Sequence, residues 1–460
     1  MTVITIDKDI CTGCKECSKV CPAFAIEGDP HKPQEVVEAR CTNCGQCVQK
    51  CKSYISLVDH GAEVYAKKRA ERGLPETVTE PLFAAYNISN IQEVIAALKD
   101  PSKYTIVQAA PAVRVALAED FGMPLGSLTP WKMAAAFREI GFKRVYDTNW
   151  SADLTIMEEG TELVQRVTKG GVLPMFTSCC PGWVKYLEDT HPNLTKHLST
   201  CKSPQQMAGA VFKTYSAKIS KVDPKTIYSV SVMPCTAKKF ECNRPEMKDS
   251  GFQDVDVVLT TRELSYLIKY FGIDFTALKD EEFDLPLGEY TGAGTIFGVT
   301  GGVMEAAIRT GYTLITGKEL EDVDIMSVRS TEGFRKAAIQ VGDLTLKVGV
   351  LTNLKNIEPV LEQVEAGTLD VHFLEVMTCP EGCVSGGGQP KLLSDTDIPE
   401  AYGNRRKATF VHDKELPKRK SHLNEGIKKI YSEFLKEPCG EKSHHLLHTT
   451  YKGCEGGHHH

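Results

Sequence analysis

Two runs of four cysteines restrict this chain more than any other feature. Cys11, Cys14, Cys17 and Cys21 follow the spacing C-x-x-C-x-x-C-x-x-x-C, and Cys41, Cys44, Cys47 and Cys51 repeat it. In chains with this run the fourth cysteine ligates the cluster of the other run. The spacing therefore predicts one 4Fe-4S cluster on Cys11, Cys14, Cys17 and Cys51, and a second on Cys41, Cys44, Cys47 and Cys21. Zinc ribbons also use paired CxxC units, but they do not need four cysteines twice at this interval. Lys52 stands where proline usually follows the last cysteine, a change that touches the local turn and not the ligation.

The chain has 17 cysteines in 460 residues. A disulfide scaffold suits a small secreted domain, whereas this chain is large, and residues 1–7 show neither a charged head with an apolar stretch nor a twin arginine. A cytoplasmic protein is expected. A net charge of -6 without a long basic run argues against a nucleic-acid partner, and no apolar run reaches the ~20 residues of a membrane span. His458-His459-His460 behind Gly456-Gly457 looks like an appended tag.

Further along, apolar runs end on cysteine segments three times. Residues 172–176 precede Thr177-Ser178-Cys179-Cys180-Pro181-Gly182-Trp183, residues 227–233 precede Cys235, and residues 371–377 precede Cys379-Pro380-Glu381-Gly382-Cys383 and the triplet Gly386-Gly387-Gly388. Alone, the last stretch reads equally well as a glycine loop holding two buried thiols. Three such segments at strand ends point to one crevice, because ligands of α/β sheets collect at the carboxyl ends of strands. A helix is expected at 91–98 with Asn90 as its cap, a buried strand at 104–108 and a helix at 113–121. Residues 61–89, charged and carrying Pro75 and Pro81, read as a connecting segment with a partial helix at 64–72.

Together the three segments resemble the signatures of the FeFe (iron-only) hydrogenases, TSCCPxW, MPCxxKxxE and ExMxCxxGCxxGGGxP. The resemblance extends through Ala109-Ala110-Pro111, Thr155-Ile156-Met157-Glu158-Glu159, Ser203-Pro204-Gln205-Gln206 and Phe297-Gly298-Val299-Thr300-Gly301-Gly302-Val303, and so covers nearly the whole chain. It implies an α/β fold: a two-lobed catalytic domain at 90–394, with small, mostly parallel sheets flanked by helices. An N-terminal ferredoxin-like α+β domain with two 4Fe-4S clusters is implied at 1–60. Residues 61–89 then connect, 395–453 form a small-subunit-like helical segment, and 454–460 are tail and tag.

The implied activity is reversible reduction of protons to H2, with electrons from ferredoxin, flavodoxin or a similar low-potential carrier. Cys180, Cys235, Cys379 and Cys383 are implied ligands of a third cubane. Cys383 also bridges to a di-iron unit with CO, cyanide and azadithiolate, the whole forming the H-cluster, and dedicated maturation proteins are implied for the di-iron unit. Ala110, Pro111, Ser203, Pro204, Gln205, Met233, Phe297 and Met377 fall where the family packs or hydrogen-bonds that unit, and Lys238 where an ammonium meets cyanide. Cys179, Glu159, Ser199 and Glu162 correspond to a proton relay, each able to donate and accept. Read without the family, Glu159 and Glu162 would be a solvated helix face. Glu241 has a weaker claim as a carboxylate near Cys235. Cys201, Cys242, Cys439 and Cys454 are left as free thiols, and Glu381 stands where the family has glycine. The rival readings are an H2-sensing member and an iron-sulfur carrier of the same superfamily.

Overall fold

The computed structural model describes residues 2–329, 331 and 333–452; Cys454 and the terminal histidines lie outside them. Eight strands build the catalytic region: β1 (Tyr104–Ala109), β2 (Arg144–Val145), β3 (Met175–Phe176), β4 (Ile227–Met233), β5 (Val257–Thr260), β6 (Phe334–Val341), β7 (Leu344–Thr352) and β8 (Phe373–Met377). One sheet runs β5-β4-β1-β2 and is parallel throughout. The other runs β6-β7-β8-β3, parallel except for the β6-β7 hairpin. Every residue of β4 and β8 is buried, as helices on both faces of a parallel sheet require. These two lobes are the mostly parallel sheets that the sequence leads one to expect.

Five helices carry or support the cysteine segments: α1 (Thr148–Lys169), α2 (Pro181–Thr190), α3 (Pro204–Val211), α4 (Gly302–Thr316) and α5 (Asp397–Glu415). Asp147 caps α1 by accepting from the Asn149 amide at 2.8 Å, and α2 and α3 begin on prolines whose missing N–H is one the first turn leaves unpaired anyway. Most of α1 is buried, Glu158, Glu159 and Glu162 included. Leu374 of β8 is fully buried, so Leu374→Ala is expected to cost about 2–5 kcal/mol.

Some local expectations change. Residues 113–121 do not form one helix: residues 110–118 are all buried and offer no polar face. Arg114 is drawn instead to Asp147 at 2.7 Å, and only Leu117–Phe121 closes, as a 3-10 turn. The strand expected at 172–176 shrinks to β3, since Pro174 has no N–H for the ladder. Asn90 holds the cap position of helix Ile91–Lys99, but its side chain donates to Glu93 rather than accepting from the backbone.

Residues 61–89 do more than connect. Helix Ala62–Glu71 anchors through fully buried Tyr65. Strand Ala85–Asn87 pairs with Ile4–Ile6, and Leu82–Phe83 with Tyr54–Ile55, so the N-terminal cysteine unit is completed by chain beyond residue 60. Within it, helices Glu16–Val20 and Gln46–Lys50 repeat each other, each entered through a left-handed residue, Lys15 and Gly45.

Candidate active site

In the N-terminal unit the thiols cross over between runs. Cys17 is pushed up to about 11 by burial and by Cys51, Cys11 and Cys14 beside it. Burial, with Cys21 and Cys41 nearby, raises Cys44 to about 12, and Cys47 rises through burial and Cys44, Cys41 and Cys21. Thiols crowded this way resist ionising without a cation, which is the condition a metal cluster relieves. Cys14 is exposed, while Cys41, Cys44, Cys47 and Cys51 are buried.

The buried run meets the glycine triplet directly. A Cβ on Gly387 would come within 2.3 Å of the Cys44 carbonyl oxygen and 2.6 Å of Gly45 Cα. Around this contact Thr236 Oγ1 donates to the Asn43 carbonyl at 2.6 Å, and the Gln46 and Gln49 amides donate to the carbonyls of Ser385 and Gly386 at 3.1 Å each. Lys391 Nζ donates back to Val48 and Gln49.

At the carboxyl ends of β4 and β8 and after β3, one pocket gathers Cys179, Cys180, Cys235, Cys379 and Cys383 with Cys44 at its rim. Its wall includes Ala110, Pro111, Pro204, Gln205, Met233, Phe297 and Met377. Ser203 stands behind the wall, its hydroxyl donating to Glu241 at 2.8 Å. Thr378, Ala112, Thr148, Ala152 and Gly298 also line it; Thr378 beside Cys379, Ala112 after Pro111 and Gly298 after Phe297 had a cue in their positions, Thr148 and Ala152 had none, and Thr378 Oγ1 lies 3.2 Å from Cys180 Sγ. Burial and neighbouring thiols push Cys235 up to about 12 and raise Cys379 and Cys383. Four converging thiols in an almost wholly apolar pocket are a donor set for an iron-sulfur cluster. The loop needs glycine at Gly382, where φ is 82° and a Cβ would sit 2.6 Å from the Thr300 amide nitrogen. Glu381 keeps ordinary φ, and its carboxylate pairs with Arg406 at 3.1 Å.

Lys238 is the one cation lining the pocket among the described residues. Its Nζ donates to the Cys179 carbonyl at 3.0 Å and to both Glu241 oxygens at 3.1 and 2.9 Å. Burial opposes its charge, but Glu241 outweighs that and raises its pKa. Glu241 also accepts from Gln205 Nε2 at 3.1 Å, and Ser231 donates to Gln205 Oε1 at 2.8 Å. The ammonium is thus held at one place on an otherwise apolar wall by the Cys179 carbonyl and the Glu241 carboxylate.

Behind Cys179 lie the acidic residues of α1. Burial, with Glu162 beside it, lifts the Glu159 carboxyl to about 8 against the pull of the nearby Ser199 hydroxyl and Ser178 amide, and neither of its oxygens makes a hydrogen bond of ordinary geometry among the described residues. The Cys179 thiol is pushed well up by burial and then by Glu159. Ser199 donates to Glu162 Oε2 at 2.8 Å, and Arg166 holds Glu162 Oε1 at 2.6 Å.

The C-terminal segment closes over this region. Thr449 N–H donates to the Thr200 carbonyl at 2.7 Å, Lys202 N–H to Leu447 at 2.8 Å, and Tyr451 OH to Cys201 at 3.1 Å. Sequence reasoning missed its contribution, since His448 lies too far along the chain from α1 for any local pattern to join them.

Fold and pocket define a multi-cluster iron-sulfur redox protein with a buried chemical site. Residues 103–387 match the family model for the iron only hydrogenase large subunit, C-terminal domain. Residues 399–453 match the iron hydrogenase small subunit, and 3–52 a 4Fe-4S dicluster domain. The NADP-reducing hydrogenase subunit HndD of Solidesulfovibrio fructosivorans is 44% identical, over 97% of this chain and 74% of that one. The periplasmic Fe hydrogenase large subunit of Nitratidesulfovibrio vulgaris is 47% identical, over 85% and 86%. A solved apo FeFe-hydrogenase HydA1 variant from Chlamydomonas reinhardtii superposes with a TM-score of 0.70 at 39% identity, covering 79% of this chain and 99% of that one. The chain belongs to the FeFe hydrogenases. It is an oxidoreductase acting on H2, and it carries an H-cluster and accessory 4Fe-4S clusters.

Proposed function

We propose that Cys180, Cys235, Cys379 and Cys383 ligate the H-cluster cubane, with Cys383 bridging to the di-iron unit, and that the two N-terminal runs hold the accessory clusters in the crossed arrangement. Support comes from the convergence of the thiols and from the apolar wall around them. When bound, the di-iron unit supplies the redox centre at which protons and H2 interconvert. The residues do the rest. Pro111, Met233, Phe297 and Met377 exclude water, Lys238 orients an anionic ligand, and Gln205 and Ser203 hold the Glu241 partner that keeps Lys238 charged.

Protons travel by Cys179, Glu159, Ser199 and Glu162. Toward the pocket, a proton passes from Glu162 to the Ser199 hydroxyl as that hydroxyl gives its own proton to Glu159, and Glu159 re-protonates the Cys179 sulfur after its S–H proton has left for the pocket; for H2 oxidation every transfer runs in reverse. The observation that carries this reading is the buried Glu159 carboxyl, whose pKa near 8 lets it exchange protons at neutral pH.

Electrons enter at the exposed Cys14 side from a ferredoxin or flavodoxin, and maturation proteins install the di-iron unit. Lys15, Lys19, Lys50 and Lys52 lie in or beside the cysteine runs and could steer an acidic carrier, but Lys19 is paired with Glu16 and Lys50 and Lys52 with Asp395, so the surface is less positive than those four residues alone. No cysteine among the described residues is in a disulfide, which suits a reducing cytoplasm. No helix among the described residues is long and apolar enough to cross a membrane. The test is an infrared spectrum of matured protein together with H2 evolution from a reduced low-potential donor. Bound CO and cyanide bands are expected, and their absence after successful maturation would overturn the assignment.

A further inference from the structure

Beside the relay lies a set of buried donors that the chemistry above leaves unused. Glu158 on α1, Cys439 and His448 bring a carboxylate oxygen, a thiol sulfur and an imidazole nitrogen within 4.8 Å of one another. His448 Nε2 lies 3.0 Å from Glu158 Oε2. The same Glu158 oxygen accepts from the Cys439 amide at 2.6 Å, and Oε1 accepts from Tyr431 OH at 2.5 Å. Thiolate, imidazole and carboxylate are the three donor types that zinc takes, with a fourth position left for water. A histidine bound through Nε2 keeps its proton on Nδ1 and needs an acceptor there to fix its tautomer. That acceptor is already in place, since Thr200 Oγ1 lies 2.8 Å from His448 Nδ1. Cys439 is half-buried, and exposed His444 stacks on His448 with ring centroids 4.7 Å apart, which gives a cation a way in from solvent.

We propose that Glu158, Cys439 and His448 form a site for a thiophilic divalent cation, zinc foremost, and that filling it slows proton passage at Glu162. On binding, the cation takes the Cys439 sulfur and the thiol proton leaves to solvent. Two contacts join the site to the relay. Glu158 and Glu162 are one turn apart on α1, so the cation's charge favours the ionised form of Glu162 and hinders its protonation. His448 Nδ1 also lies 3.9 Å from Cys201 Sγ, which is itself 3.9 Å from Glu162 Oε2.

This coupling rests on the proposed relay, and the binding site does not. Matured protein is equilibrated with zinc chloride, and zinc and iron are counted after dialysis. X-ray absorption at the zinc edge should show one sulfur at about 2.3 Å with nitrogen and oxygen at about 2.0–2.2 Å, with iron unchanged. Zinc held by the histidines at 458–460 shows no sulfur and stays the same in every variant. H2 evolution should fall with zinc and return with a chelator. Against each protein's own zinc-free rate, Cys439→Ser and His448→Gln should each raise the half-inhibiting concentration tenfold or more, and Cys439→Ser should remove the sulfur signal. Equal inhibition in parent and both variants, zinc without a sulfur neighbour, or binding without inhibition would overturn the proposal. Failure of the relay itself shows separately, as Glu162→Gln turning over at full rate without zinc.

Discussion

Glu159 is a carboxyl whose usefulness and cost have the same origin. In the unfolded chain it ionises near its ordinary 4.5, whereas burial holds the folded value at about 8. Its contribution is therefore whole below pH 4.5 and is lost as pH rises through 8, because the unfolded state releases its proton first. Glu159→Gln should cut turnover at least a hundredfold and yet raise the apparent melting temperature. The gain should be near zero at pH 4.5 and grow to several degrees at pH 8, as calorimetry at one scan rate would read. Cys179→Ala should abolish turnover with iron content and infrared bands retained, while Cys180→Ala should lose the active cluster. Equal cluster loss in both would show that Cys179 is not a relay. A lone carboxylate at Glu381 would disfavour reduction of the cubane, but Arg406 donates to it at 3.1 Å. Arg406→Gln should therefore lower the cubane potential more than Glu381→Gly raises it, in an infrared potentiometric titration.

At the scale of elements, β8 does two jobs. Its carboxyl end presents Cys379, and mid-strand Glu375 caps α4 by accepting from the Gly301 and Met304 amides, at 2.7 Å each. Glu375→Ala leaves two buried donors unpaired and should cost about 2–5 kcal/mol, seen as a lower denaturant midpoint with unchanged slope. What could be read from the sequence follows from locality. Apolar runs ending in cysteine and proline announced β3, β4 and β8, because strand, turn and ligand lie within a dozen residues. The strands at 82–87 were missed because they are two or three residues long and owe their form to distant partners. Residues 113–121 misled because a segment buried on all sides carries the composition of a helix without its period. The Lys238–Glu241 pair is local, three residues apart on helix Ala237–Glu241, but the Ser203 and Gln205 bonds that fix Glu241 exist only once the start of α3 is packed against that helix.

Across the whole molecule, the second cysteine run touches the glycine triplet with no side chain between them. Gly387→Val must push the N-terminal unit away from the pocket, as backbone atoms stand at 2.3 and 2.6 Å. H2 evolution driven by a protein carrier should then fall tenfold or more, while hydrogen-deuterium exchange, which needs no outside electrons, should stay within about twofold. Equal loss in both would mean that the substitution had damaged the pocket rather than the junction. The C-terminal segment has a different consequence, one of timing. Residues 447–451 lie against residues 200–202, yet leave the ribosome about 245 residues later. At 5–20 residues per second this is a delay of roughly 12–50 s. Until then the flank of the proton route around Ser199 and Cys201 faces water, so a nascent chain can fold both lobes and still have no sealed path between pocket and solvent.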